Sequence, residues 1–148
     1  MATDRRADVT WKGSLMEGGG TIDSTTSGAF GGLAVSWAAR SEDATGGKTS
    51  PEELIAAAHA TCLSMALAGG LAQQGHPPTK LETDAVCALD KTDAGFRIAS
   101  MHLTVKGEVD GIDEEGFRAA AQEAKAGCPV SNALADSVEI TLEGSLAS

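Results

Sequence analysis

A chain of 148 residues, 42% of them hydrophobic, is long enough for one domain with a substantial core and too apolar to be disordered. Its net charge is −10, with 11 scattered basic residues, so nucleic acid and anionic membrane surfaces are excluded as partners. With two Trp, three Phe and no Tyr, the interior must be filled by Ala, Leu, Val and Ile, a composition that favours cores completed by pairing subunits.

Met1 to Asp8 is polar and charged and carries no secretory signal, so a cytoplasmic protein with reduced thiols is expected. The first forty residues read as strands and turns. Val9 to Gly13 is a short strand, Gly18-Gly19-Gly20 a turn, and Thr21 to Ser24 a second strand. Gly31-Gly32 precedes a third strand at Leu33 to Ala38, and the polar stretch Ser41 to Thr49 is a loop.

Ser50-Pro51-Glu52-Glu53 then sets an N-cap, a first-turn proline and a capping-box glutamate before an apolar run. The helix should continue to about Gln74 and stop at Gly75. Leu54 to Ala72 is long and uncharged enough to raise the question of a membrane span. Ala, Gly, Ser, Thr, His and Cys fill most of it, so the expectation is a central buried helix of a soluble fold. Pro77-Pro78 breaks the chain. Leu81 to Leu89 and Phe96 to Val109 alternate like antiparallel strands joined around Asp93-Ala94-Gly95. Asp113 to Ala126 is an amphipathic helix, Cys128-Pro129 opens a helical turn to about Ala135, and Val138 to Leu142 is a last strand. The order gives a single α+β domain, 1–148, with helices packed on antiparallel sheet.

Three cysteines in a reducing compartment point to redox chemistry, metal binding or core filling. Cys62 lies in the middle of the long helix, where a thiol reads first as a small core hydrophobe and where a thiolate needs a cation from elsewhere. Cys128 stands between a helix-ending glycine and Pro129, at a helix N-terminus whose free N–H groups favour negative charge. A buried junction residue is the competing reading. Cys87 is mid-strand on the apolar face and reads as core. His59 and Cys62 share a helix face and form half a metal site, but His76 and His102 lie on other elements, and no CxxC or HExxH supplies an anchor. No metal or other cofactor is expected. Dinucleotide, phosphate-loop and serine-hydrolase motifs are without support.

The segments Ser50 to Leu67 (SPEELIAAAHATCLSMAL), Leu89 to Ile98 (LDKTDAGFRI), Ala124 to Leu134 (AKAGCPVSNAL) and Thr10 to Gly13 (TWKG) together resemble the OsmC/Ohr family, closest to its OsmC branch. The resemblance spans nearly the whole chain. It implies antiparallel sheets wrapped around a long central helix in an intertwined homodimer with the active site at the interface. It also implies a thiol-dependent peroxidase acting on organic hydroperoxides, regenerated by a thiol reductant such as a dihydrolipoyl protein. Cys62 matches the attacking cysteine, Cys128 the resolving one, and Glu52 the glutamate that orients an arginine. Arg40, on the strand before the long helix, matches that arginine in the OsmC branch, while Arg5 and Arg6 are the candidates if the Ohr pattern holds. Two readings stand beside this one. One is a non-catalytic thiol protein that binds or senses a small electrophile, and the other is a dimeric scaffold whose cysteines are all core.

Overall fold

Glycine-punctuated alternation at the start of the chain produces three short strands: β1 (Ala7–Lys12), β2 (Gly19–Thr25) and β3 (Leu33–Val35). They form an antiparallel sheet in the order β1-β2-β3. The computed structural model describes residues 1–148 and divides into two units, Met1–Leu54 and Ile55–Ser148. In the first unit the turn lies at 14–18, closed by the Gly18 N–H donating to the Ser14 carbonyl, so β2 begins earlier than expected. Gly20 sits opposite Trp11, and a Cβ there would meet the Trp11 ring at 2.8 Å. Glycine therefore lets the indole lie flat across the strand.

The third strand is shorter than its sequence suggests. It stops at Val35, because Ser36 caps a five-residue helix, α1 (Trp37–Ser41), its hydroxyl accepting from the Ala39 N–H at 3.1 Å. Ala38, Ala39 and Arg40 are strong helix formers, and once the cap is satisfied they follow it. Arg40 thus lies on a helix and not on a strand.

The second helix, α2 (Pro51–Gln73), starts at the expected cap, with the Glu53 N–H donating to the Ser50 hydroxyl at 3.2 Å. Its end is a Schellman motif. Gly75, at φ +86°, donates to the Ala72 carbonyl, and His76 donates to Leu71 at 2.8 Å. By length and composition alone α2 could cross a membrane, yet Leu63, Leu67 and Leu71 at four-residue spacing are fully buried in a protein core. The expectation of a helix buried all round needs correction for a single chain. Ala57, Ala58, Thr61, Met65 and Gly69 face outward, with Met65 71% exposed.

In the second unit β4 (Lys80–Thr92) and β5 (Gly95–Glu108) form the expected antiparallel hairpin, with Gly95 at φ +115°. Met101, Leu103 and Val105 of β5 enter the core with the α2 leucines. α3 (Glu114–Gly127) begins on Asp113, whose carboxylate accepts from the Gly116 N–H at 2.8 Å, and α4 (Pro129–Leu134) follows directly. The last strand, β6 (Glu139–Leu146), pairs with β5 in parallel, so the sheet β4-β5-β6 is mixed and not wholly antiparallel. The two helices between β5 and β6 carry the chain back along the sheet, and the next strand enters in the same direction.

Phe117 of α3 is fully buried, and a Cβ on Gly107 would stand 2.5 Å from its ring. Gly107→Ala should therefore destabilise the protein by about 1–3 kcal/mol through overpacking. Gly107→Ala combined with Phe117→Leu should recover part of the stability lost to Phe117→Leu plus Gly107→Ala taken separately. Urea midpoints of the three variants test this non-additivity.

Candidate thiol site

The second unit brings two of the candidate sulfurs together. Cys62, in the middle of α2, and Cys128, the N-cap residue of α4, are free cysteines close enough for each sulfur to influence the other's charge. Burial pushes the Cys62 thiol up. The Val130 N–H opposes this, while the adjacent Cys128, competing for negative charge, adds to it. Cys128 moves the other way. Burial raises it too, but the N–H and hydroxyl of Ser131, the Cys62 thiol and the Val130 N–H outweigh that and hold it below the ordinary thiol value. Inside one chain the negative charge therefore favours Cys128. Mid-helix Cys62 has no free N–H group of its own helix to draw on.

Two polar residues stand beside this pair. His59, one turn before Cys62, is fully buried, and its Nε2 lies 2.7 Å from the Ser131 Oγ, while its Nδ1 has no partner. Ser131, three residues after Cys128, is 3% exposed. Burial, and then the positive charge of Lys125, hold the His59 imidazole below the ordinary histidine value near 6.5, so it is kept neutral. His59, read with Cys62 as half of a metal site, thus engages a serine. Ser131 was not singled out in the sequence. The Cys-Pro-Val-Ser spacing, which puts a hydroxyl one turn from the N-cap sulfur, is the signal that could have found it. Cys87 packs against the core opposite Met101, as its strand position suggested.

The first unit holds the arginine and the glutamate. Arg40 donates from Nε to both Glu52 carboxylate oxygens, at 3.0 and 3.2 Å, and from Nη2 to Oε1 at 2.9 Å. Glu52 is buried in the first turn of α2, where the free N–H groups of the helix also favour its charge. The fork-to-carboxylate geometry fixes the guanidinium plane, and Nη1 takes no part in it. Arg40 also lies over the Trp37 ring, 5.9 Å from its centroid. It borders an apolar cavity of about 280 Å³ lined by Trp11, Leu15, Ile22, Trp37 and Leu54. Arg5 and Arg6 lie outside this arrangement. Arg5 bonds to the Asp4 carbonyl, and Arg6 pairs through its backbone with Thr26. Of the candidate arginines, Arg40 is the one the structure joins to Glu52.

A histidine held neutral makes stability depend on pH in a definite direction. The unfolded chain binds the His59 proton near pH 6.5 and the folded chain only at lower pH, so this contribution is complete above about pH 6.5 and is lost as pH falls below it. Urea unfolding at pH 5 and pH 7.5 should show a smaller loss of stability on acidification for His59→Gln than for wild type.

The family model described as OsmC-like protein matches residues 44–143. Peroxiredoxin OsmC of Escherichia coli strain K12 is 43% identical over 148 residues, covering 100% of both chains. Organic hydroperoxide resistance protein OhrA of Bacillus subtilis strain 168 is 33% identical over 97 residues, 64% of this chain and 66% of that protein. Among solved structures, the organic hydroperoxide resistance protein OhrB of Bacillus subtilis superposes with a TM-score of 0.70 at 26% identity, covering 94% of this chain and 97% of that one. With the family match over most of its length and full-length identity of 43%, the chain belongs to the OsmC-like family.

Proposed function

We propose that the chain is a thiol peroxidase that reduces organic hydroperoxides, with Cys62 as the attacking sulfur and Cys128 as the resolving one. The observation that carries this reading is the proximity of the Cys62 and Cys128 thiols, in a chain 43% identical along its whole length to Peroxiredoxin OsmC. The Cys62 thiolate attacks the outer peroxide oxygen, the O–O bond breaks, and Cys62 becomes a sulfenic acid while an alkoxide leaves and takes up a proton. Cys128 then condenses with the sulfenic acid to a disulfide and water. An external dithiol, of the dihydrolipoyl kind, returns both sulfurs to thiols.

Attack needs charge on Cys62, against the preference within one chain, and Arg40 is the residue suited to supply it. A guanidinium placed beside the sulfur stabilises the thiolate and then the charge developing on the departing alkoxide. Glu52 and Cys62 are ten residues apart, a rise of about 15 Å along an α-helix, and Arg40 is clamped at the Glu52 end. We assign it to the Cys62 of a second copy, in a homodimer that covers the outward face of α2 at Thr61, Met65 and Gly69. The apolar cavity beside Arg40 suits the organic part of a hydroperoxide. We place this soluble enzyme in the cytoplasm, as part of the defence against oxidative stress.

Stopped-flow oxidation by an organic hydroperoxide tests the reading. Cys62→Ser should abolish peroxide reduction, while Cys128→Ser should allow a single oxidation and then stall. If wild-type Cys62 reacted no faster than free cysteine, a non-catalytic thiol protein would replace the enzyme. Arg40→Ala should lower the second-order oxidation rate about 100- to 1000-fold, the usual loss when a donor to developing negative charge is removed. A Glu52→Gln variant should lose less, because the guanidinium remains but is no longer clamped by a charged partner.

A further inference from the structure

Two contacts cross from α2 to α4 side by side: the Cys62 and Cys128 sulfurs, and the His59 imidazole and Ser131 hydroxyl. On each helix the partners are three residues apart, so the histidine contact lies one turn from the sulfurs and fixes the spacing at which they meet. All four residues are buried or partly buried, with His59 and Cys128 at zero exposure. A fully buried histidine is expensive to keep unless its hydrogen bond serves the fold or the chemistry.

The bond has a direction. His59 Nδ1 is buried with no partner. An orphaned N–H is rarer in folded proteins than an unsatisfied acceptor, so the proton belongs on Nε2. Nε2–H then donates to the Ser131 oxygen, and the serine's own proton is free for the Cys128 sulfur, which lies three residues before it at the start of α4. The titratable groups acting on this chain are Cys62 of α2, which faces Cys128, and Lys125 of α3, whose charge acts on His59.

We infer that His59 and Ser131 are positioning residues for the resolving step, holding α4 against α2 so that Cys128 faces Cys62 and directing the Ser131 hydroxyl onto the Cys128 sulfur. The inference rests on the peroxidase reading above. In the step concerned, the Cys128 sulfur forms the S–S bond as the S–O bond of the Cys62 sulfenic acid breaks. The hydroxyl leaves with the Cys128 thiol proton as water, the Cys62 sulfur is reduced and the Cys128 sulfur is oxidised. Ser131 stabilises the negative charge that Cys128 carries on the way to that bond, and His59 keeps Ser131 in the donor orientation.

Stopped-flow tryptophan fluorescence with cumene hydroperoxide separates the two steps, because oxidation of Cys62 scales with peroxide concentration and disulfide formation does not. Ser131→Ala should slow disulfide formation about tenfold, the effect of one hydrogen bond to a charged sulfur, and move the pH midpoint of that step upward. Ser131→Thr should restore both, His59→Leu should resemble Ser131→Ala, and His59→Gln should recover part of the rate. The oxidation step should stay within about twofold of wild type in all four, since no donor to Cys62 is removed. In a Cys62→Ser, Cys87→Ala background, thiolate absorbance at 240 nm should show Cys128 ionising at higher pH once Ser131→Ala is added. Wild-type rate and pH midpoint in Ser131→Ala would overturn the inference. So would slowing of both steps together with a fall in thermal midpoint, which marks a purely structural bond. Absence of any peroxide-dependent phase in the wild-type protein would remove the peroxidase reading, and the resolving role with it, and is distinguishable from either.

Discussion

Cys62 lies in the middle of a helix whose backbone N–H groups are already engaged, so any negative charge on its sulfur must be met from outside that helix. Much of the site follows from this constraint. A thiol at a helix N-terminus would find free donors at no extra cost, and Cys128 occupies such a place. Cys62 has only the Val130 N–H across the gap and a sulfur that competes for the same charge. The first unit holds a guanidinium fixed by a buried carboxylate, the cation that the proposed dimer would bring to Cys62. The two cysteines are thus unequal, since Cys128 stands at a helix start that favours negative charge and Cys62 in a helix interior that does not.

The same helix explains why a core poor in aromatics can suffice. Leucines at 63, 67 and 71 close the second unit, while the outward face of α2 carries small residues and one methionine. A face of that kind lets another backbone approach closely and leaves hydrophobic area uncovered until it does. Catalysis and assembly are linked in the proposed dimer, because Cys62, only partly buried, adjoins the surface that needs covering.

Much of the fold was legible along the chain because its signals are local. Ser50-Pro51-Glu52-Glu53 and Gly75 bracket α2 through capping chemistry that depends on a handful of adjacent residues. The β4–β5 hairpin follows from alternation and a glycine at positive φ. What misled was non-local or competitive. Leu33 to Ala38 is strand-like in pattern, yet the Ser36 hydroxyl satisfies the first N–H groups of a helix and turns the arginine onto α1. The direction of β6 depends on how α3 and α4 cross the sheet, which no residue of β6 encodes.

By itself the sequence determined the cysteines, their places on a helix interior and a helix start, and through its motifs the OsmC/Ohr likeness. These are properties of neighbouring residues, and hydrogen-bonding chemistry at helix ends acts over one turn. Only the tertiary structure decided that Cys62 meets Cys128, that Arg40 and not Arg5 or Arg6 is locked to Glu52, and that His59 binds Ser131, 72 residues away. The two pairings within the second unit join segments far apart in the chain and are set by packing, while Arg40 and Glu52, twelve residues apart, meet because α1 turns the chain between them.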